Sequence, residues 1–145
     1  MKAKQIKIKY VREDMERIKS IKNGDWIDLR TGIDLIMRKG DFRLIPLGVA
    51  MQLPENTEAL VIPRSSTFKK YGIIQANSVG LIDESYCGEK DEWMFPAYAT
   101  RDIVIPKNTR ICQFRIQEHQ PLVTLTEVEF LSGTSRGGFG STGER

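Results

Sequence analysis

The sequence predicts an all-β domain, because short apolar stretches recur along the chain with turn residues between them and with little helical spacing. Many short strands with frequent turn signals are typical of sandwiches and barrels. The 145 residues suit one domain large enough to bury a core. After Leu131 the composition shifts to Ser, Gly and Thr, so we expect a β-barrel over residues 1–131 and a glycine-rich C-terminal arm over residues 132–145.

The expected strands can be placed in chain order by their apolar patterns. They are KQIKIKYV (4–11), RLIPLGVAMQLP (43–54, broken by Pro46 and Gly48), EALVIP (58–63), DIVIP (102–106), RICQFRI (110–116) and LVTLTEVEF (122–130). Turn residues separate them at RKGD, LPENTE and PKNT. Helical spacing is found only in the short segment REDMERIKSI, through Met15, Ile18 and Ile21.

Composition and charge argue against several classes of protein. No apolar run approaches the ~20 residues of a membrane span, and the basic N-terminus lacks the apolar stretch of a secretory signal. We therefore expect a cytoplasmic protein with no membrane partner, in which Cys87 and Cys112 are reduced thiols. A net charge of +3, without aromatic residues interleaved among basic ones, argues against nucleic acid as a partner. A single histidine, His119, expected at the surface, argues against a zinc site.

Two segments carry charged groups in unusual settings. In PRSSTFKKYG, Arg64 offers a forked donor for phosphate, and Ser65 and Ser66 add hydroxyl and N–H groups; an ordinary capped helix start is the alternative. In TGIDL, Asp34 lies between apolar neighbours, where a carboxylate needs a partner. A turn aspartate bound to its own backbone is the alternative for Asp34.

Two further segments place polar groups beside apolar ones. In NSVGLIDESYCGE, Asp83 follows two apolar residues and precedes Tyr86 by three positions, which suits either the floor of a polar pocket or a plain hairpin turn. In RICQFRI, Arg110 and Gln113 are polar positions on an apolar strand, and they suit either a site or an edge-strand surface. A phosphate-binding P-loop and a Ser–His–Asp triad are both absent from the sequence.

Taken in order, TGIDL, PRSS, NSVGLIDESYCGE, RICQF and GGFGSTG resemble the five motifs of the all-β, homotrimeric dUTPases. Each motif is weak alone, but five in order are specific, and the resemblance runs from about Asp28 to the C-terminus. The details GDWIDL, VIPRSST and FPAYA are most similar to dUTPases of Gram-positive bacteria and their phages. The resemblance implies a jelly-roll fold with active sites shared between subunits.

The resemblance also implies the reaction, which is Mg²⁺-dependent hydrolysis of dUTP to dUMP and pyrophosphate. This reaction keeps uracil out of DNA and supplies dUMP for dTMP synthesis. Asp83 matches the carboxylate that activates the water attacking the α-phosphorus, and Tyr86 matches the residue under the deoxyribose that leaves no room for a 2′-hydroxyl group. Asn77 and the hairpin backbone at Gly80 and Ile82 match the groups that read uracil.

Phosphate contacts are implied for the second and fourth motifs. Arg64, Ser65 and Ser66 match the second motif, and Gln113, with Arg110 nearby, matches the fourth. Mg²⁺ is held in this family mainly by phosphates and water, so no residue is expected to bind it directly. Asp34 would act on the ion only through water.

The glycine-rich arm matches the fifth motif, which closes over the nucleotide of another subunit. Phe139 would stack on uracil, and Ser141 and Thr142, with the N–H groups at Gly138 and Gly140, would cradle the γ-phosphate. The usual motif begins Arg-Gly, whereas Thr134 and Ser135 stand at those positions here. Two alternatives follow: Arg136 contacts the γ-phosphate from a shifted backbone, or the contact with the γ-phosphate is weaker in this chain.

Two other functions suit a protein of this fold. A dCTP deaminase would use a glutamate in the hairpin and would not need the GGFGSTG arm, so the arm and Asp83 favour a dUTPase. An interaction or regulatory protein with the dUTPase fold would be marked by an inserted segment. The modest candidate for such a segment is the long stretch GEKDEWMFPAYA, whose Trp93, Met94 and Phe95 would pack against either the tail or the core.

Overall fold

The computed structural model describes residues 2–19 and 24–140, and within these ranges the chain forms eleven β-strands and one short helix. The all-β prediction is confirmed. The elements are β1 (Lys7–Tyr10), β2 (Ile27–Arg30), β3 (Leu35–Met37), β4 (Phe42–Pro46), β5 (Val49–Gln52), β6 (Thr57–Pro63), α1 (Thr67–Tyr71), β7 (Ile73–Gln75), β8 (Gly80–Ile82), β9 (Met94–Ala99), β10 (Ile103–Ile105) and β11 (Arg110–Glu118).

The strands pair in antiparallel sheets, an arrangement consistent with a jelly roll. The largest sheet has the order β2-β11-β6-β8, a second has the order β4-β9-β7, and β1 with β5 and β3 with β10 form two pairs. The longest strand, β11, has nine residues and lies between β2 and β6. Residues from β2, β6 and β11 therefore come together at one end of this sheet.

The core contains large apolar side chains from β9, from β11 and from Trp93, which directly precedes β9. Trp93, Phe95 and Phe114 are among the largest fully buried side chains, and the rings of Trp93 and Phe114 meet edge to face at 5.2 Å. Of the residues expected to pack against either tail or core, Trp93 and Phe95 therefore belong to the core, whereas Met94 is partly exposed.

The helical spacing of REDMERIKSI does not produce a helix over its described residues, 12–19. Met15 is buried against Gly48, where φ is +71° and an added Cβ would lie 2.6 Å from the Met15 sulfur. The N–H of Ile18 donates to the Tyr10 hydroxyl group at 2.8 Å, so a tertiary contact takes the donor that a helix would use. Ile21 lies outside the described residues.

The strand expected at LVTLTEVEF is also wrong within this chain, because no described strand pairs with residues 122–130. Leu122 and Leu125 are fully exposed. Apolar alternation alone does not make a strand, since a strand also needs a neighbour to satisfy its backbone hydrogen bonds.

The two cysteines are free thiols in different environments. Cys87 is exposed on the loop after β8, and Cys112 is buried in β11. Burial raises the pKa of Cys112 far above that of an ordinary thiol, with a smaller contribution from the charge of Asp28. Cys112 is therefore kept protonated.

Nowhere in the described ranges is there a helix with the length and apolar character needed to span a membrane.

Candidate active site

Two arginines meet one carboxylate where β2, β6 and β11 lie side by side. Arg64 Nε is 3.1 Å from Asp28 Oδ1, and Arg110 Nη1 is 3.4 Å from Asp28 Oδ2. All three side chains are partly exposed. Because two cations share one anion, this arginine cluster retains positive charge, and an incoming phosphate could replace Asp28 on either guanidinium.

A β-bulge explains why the side chains of Arg110 and Gln113 lie in the same region of the sheet. Residues three apart in a regular strand point to opposite faces. The register of β11 against β2 shifts between Arg110 and Cys112, and such an extra residue re-aims the side chains that follow it. Arg110 thus contacts Asp28, while Gln113 lies directly opposite Asp28 and donates Nε2–H to the Pro63 carbonyl at 3.1 Å.

The PRSST turn is fastened to β11 by a buried hydroxyl group. Thr67 Oγ1 accepts the N–H of Arg64 at 2.9 Å and donates to the Ile111 carbonyl at 2.7 Å. The backbone that carries Ser65 and Ser66 is therefore fixed beside the arginine cluster. Ser66 occupies the N-cap position of α1, yet its side chain makes no capping hydrogen bond there.

Asp83 begins a tight turn at the end of β8. Its Oδ2 accepts hydrogen bonds from the N–H group and the hydroxyl group of Ser85, at 2.9 and 2.5 Å, and the Tyr86 N–H donates to the Asp83 carbonyl at 3.0 Å. The Ser85 hydroxyl is the largest cause of a lowered Asp83 pKa, followed by the Ser85 N–H. About half of the Asp83 side chain is exposed, so an ionised carboxylate faces solvent here.

Replacing Ser85 with alanine is expected to raise the pKa of Asp83, because the lost hydroxyl group stabilises the ionised form. The carboxyl group should then take up its proton at higher pH than in the wild type. A ¹³C NMR titration of the Asp83 carboxyl in both proteins measures the change, and Ser85→Thr, which keeps a hydroxyl group, is the matched control. An identical midpoint in the alanine variant would remove Ser85 from this role.

Around Asp83 lies a charged environment that the sequence did not signal. His119 Nε2 is 2.9 Å from the Thr57 carbonyl oxygen, 3.3 Å from Glu84 Oε1 and 3.8 Å from Asp83 Oδ1. Its side chain is half-buried rather than fully at the surface, since the end of β11 brings it against β6 and the Asp83 turn. The charge of His119 makes a smaller contribution to the lowered pKa of Asp83.

The turn before β8 presents a rigid backbone. Ser78 has a φ of +62°, and the N–H of Val79 donates to the Asn77 carbonyl at 2.7 Å. An added Cβ at Gly80 would lie 3.2 Å from Val61 Cβ and 3.3 Å from Gln75 Nε2, so glycine permits the close approach. Behind it, the buried Gln75 amide donates to the Val61 carbonyl at 3.0 Å. Together with the partly buried Ile82, these contacts hold residues 77–82 against β6.

The arginine cluster and the Asp83 turn lie at opposite ends of β6. Ile82 pairs with Ala59, so Asp83 comes next to Glu58, whereas Arg64 directly follows Pro63 at the other end. The five steps from Glu58 to Pro63 span roughly 17 Å at about 3.3 Å per residue. One chain therefore holds Asp83 and Arg64 too far apart to act on the same phosphate group.

Asp34 does not join the arginine cluster. Its Oδ1 accepts the N–H of Lys107 at 2.8 Å, at the turn before β11. The carboxylate between the two arginines is instead Asp28. In the sequence, Asp28 lies between the apolar residues Ile27 and Leu29 of the segment GDWIDL, a setting that resembles that of Asp34 in TGIDL.

The described part of the arm, residues 132–140, is exposed. Phe139 is fully exposed with a φ of +50°, and Arg136 is exposed as well. Gly138 and Gly140 have φ values of +137° and +82°, conformations that favour glycine. Ser141 and Thr142 lie outside the described residues.

The fold and the motifs have counterparts among known proteins. The dUTPase family model matches residues 26–143. The chain is 57% identical, over 141 residues, to the SPbeta prophage-derived deoxyuridine 5′-triphosphate nucleotidohydrolase YosS of Bacillus subtilis, covering 97% of this chain and 99% of that one.

Among the solved structures that share the fold are two phage dUTPases. The Staphylococcus bacteriophage 80alpha dUTPase with dUPNHPP superposes with a TM-score of 0.78 at 18% identity, covering 96% of this chain and 98% of that one. A point mutant of the dUTPase from phage phi11 of S. aureus, described with a structural Mg(II) ion, gives 0.74 at 15% identity, covering 87% of this chain and 97% of that one.

The chain belongs to the dUTPase family, whose members are hydrolases of nucleotide metabolism. The resemblance inferred from the five motifs, including the likeness to Gram-positive bacterial and phage dUTPases, is confirmed.

Proposed function

We propose that this protein hydrolyses dUTP to dUMP and pyrophosphate in active sites shared between copies of the chain. The observation that carries the proposal is the ionised, half-exposed carboxylate of Asp83 on a tight turn that also holds Tyr86, in a chain of the dUTPase family. YosS, the 57% identical relative, bears the name of the same activity.

Asp83 acts as the general base. Ser85 occupies Oδ2 with two hydrogen bonds, which leaves Oδ1 to orient a water molecule and take its proton. The water oxygen forms a bond to the α-phosphorus, the bond from that phosphorus to the bridging oxygen breaks, and pyrophosphate leaves with the electron pair. At neutral pH an aspartate of ordinary or lowered pKa is ionised, so the Asp83 carboxylate can accept the proton.

The arginine cluster holds the triphosphate. Arg64 and Arg110 replace part of their contact with Asp28 by contacts with phosphate oxygens, and Gln113, Ser65 and Ser66 add neutral donors beside them. Positioning and charge neutralisation supply most of the catalysis of phosphoryl transfer, so this cluster contributes to rate as well as to binding.

Bound Mg²⁺ would neutralise part of the negative charge of the phosphates. In the described part of the chain, no three His, Cys, Asp or Glu side chains are grouped to hold a metal ion. We expect the ion to be held mainly by phosphates and water, near the arginine cluster that contains Asp28. Asp34 Oδ1 accepts the Lys107 N–H, and any action of Asp34 on the ion would pass through water.

We infer a homotrimer whose sites combine different subunits. The distance between Asp83 and Arg64 along β6 supports the contribution of a second chain to each site. The exposed apolar side chains of residues 122–131 suit burial on a neighbouring subunit, and they include Leu122, Leu125, Phe130 and Leu131. Such a crossing carries the arm of residues 132–145 away from its own barrel. The number of three subunits follows from family membership.

The nucleoside is recognised by the turn from Asn77 to Tyr86. Asn77 and the backbone at Gly80 and Ile82 read the edge of uracil, and the Tyr86 ring excludes a 2′-hydroxyl group. A site that recognises its ligand by hydrogen bonds discriminates between nucleotides far better than an apolar site does.

The arm then closes the site. Phe139 stacks on uracil. Donors to the γ-phosphate come from Arg136, Ser141, Thr142 and the backbone at Gly138 and Gly140.

The test is pyrophosphate release with Mg²⁺ from dUTP, UTP, dTTP and dCTP, measured side by side. We expect turnover of dUTP and at most trace turnover of the other three. Ammonia release from dCTP would assign the protein as a deaminase instead. No turnover of any nucleotide would favour the interaction or regulatory function.

A further inference from the structure

The loop that joins Tyr86 to the core strand β9 is stabilised by a contact from the N-terminal segment. Between Gly88 and Asp91 the loop forms its own turn, in which the Gly88 N–H donates to Asp91 Oδ2 at 2.9 Å and the Asp91 N–H donates to the Gly88 carbonyl at 3.1 Å. Glu92 follows this turn, and its side chain is only 12% exposed. A carboxylate so nearly buried needs strong partners.

Glu92 receives hydrogen bonds from one guanidinium and one backbone amide. Arg12 Nε and Nη2 donate to Oε2 and Oε1 at 2.7 and 3.0 Å, a forked geometry, and the Gly48 N–H donates to Oε2 at 2.9 Å. Forked guanidinium–carboxylate pairs are among the strongest side-chain hydrogen bonds. Such a partly buried pair fixes Glu92 to the barrel much more firmly than an exposed ion pair would.

The backbone of Glu92 also binds the Tyr86 hydroxyl group. Tyr86 donates to the Glu92 carbonyl oxygen at 2.9 Å, and the Tyr86 N–H is bonded to the Asp83 carbonyl at 3.0 Å. The partly exposed ring of Tyr86 is thus held at its backbone by the Asp83 turn and at its far end by Glu92.

We propose that Arg12, acting through Glu92, is a positioning residue that fixes the Tyr86 ring and thereby sets how strictly the site excludes a 2′-hydroxyl group. This inference rests on the proposed function, in which Tyr86 lies beneath the deoxyribose. Steric exclusion of one oxygen atom depends on the ring staying within about 0.5 Å of its position. A ring released at its hydroxyl end could swing aside and admit the ribose of UTP.

The experiment compares kcat/KM for dUTP with kcat/KM for UTP in four proteins: wild type, Arg12→Met, Tyr86→Phe and the double variant. The ratio is the proper readout, because a change in the fraction of folded enzyme cancels from it. Tyr86→Phe keeps the ring and removes only the bond to Glu92. We expect the ratio to fall about tenfold in each single variant, and the double variant to be no worse than Tyr86→Phe, since both changes break one chain of contacts.

Lys9→Met is the matched control. Lys9 pairs with Glu89 on the same loop at 3.5 Å, but both side chains are well exposed, so its loss should leave the ratio unchanged. Arg12→Lys keeps the positive charge but cannot form the forked pair of hydrogen bonds with Glu92, so it should give an intermediate ratio. It replaces Arg12→Met in the experiment if that variant is not soluble.

Two outcomes would separate the inference from the function on which it rests. If the wild type does not prefer dUTP over UTP, the role of Tyr86 in the proposed function is wrong. If the wild type discriminates and the Arg12 variants discriminate equally well, the positioning role of Arg12 is wrong, whatever the result for Tyr86→Phe.

Discussion

Asp83→Asn is expected to bind dUTP with nearly wild-type affinity and to lose turnover by roughly 10²–10⁴-fold, the usual contribution of a general base. The amide keeps the shape of the side chain and can still accept from Ser85 at one oxygen, but it cannot take a proton from water. Single-turnover release of pyrophosphate measures the chemical step, and calorimetry with a non-hydrolysable dUTP analogue measures binding. Turnover close to that of the wild type would assign the base to another group.

The same variant tests whether the sites are shared between chains. Arg64→Ala should also be nearly inactive, because it removes a guanidinium from the arginine cluster. If Asp83 of one chain works with Arg64 of another, unfolding and refolding the two variants together should restore about a quarter of the wild-type sites through random assembly. A mixture that stays as inactive as its components would show that each chain supplies both residues to its own site.

Truncation after Ser132 is expected to leave the fold intact and to abolish most activity. Residues 133–140 are exposed and contribute nothing to the core, so the thermal midpoint should not change. Loss of the stacking of Phe139 alone would cost about 1–3 kcal/mol of binding, and loss of the γ-phosphate donors adds to it. Circular dichroism melts and steady-state kinetics on dUTP measure the two quantities.

The matched control for the truncation removes only residues 144–145, beyond the fifth motif. This shorter deletion should retain wild-type kinetics. A protein truncated after Ser132 that remained fully active would remove the arm from the active site, and one that unfolded would show that the arm stabilises the barrel.

The sequence predicted the turns and several strands correctly where local residue patterns determine the structure. The turns at RKGD, LPENTE and PKNT occur where expected, with Gly40, Asn56 and Asn108 at positive φ values of 90°, 61° and 67°. The strand at EALVIP followed from a short apolar run and the strand at RICQFRI from apolar alternation, and β6 and β11 contain these segments. The family, too, could be inferred from motif order alone.

What the sequence could not show depends on contacts between distant residues. Asp28 was overlooked in favour of Asp34, because only the pairing of β2 with β11 brings Asp28 between Arg64 and Arg110. The bulge after Arg110 has no local signature. Residues 122–130 have the pattern of a strand, but a strand forms only where another lies beside it, and among the described residues of one chain none does.

The contrast between the two cysteines makes the chain convenient to label. Cys112 is buried in the core with a raised pKa, so thiol-directed reagents do not reach a reactive thiolate there. Cys87 is exposed and directly follows Tyr86. A maleimide fluorophore would therefore attach at one place, beside the residue assigned to the sugar, and could report the arrival of nucleotide without any engineered attachment point.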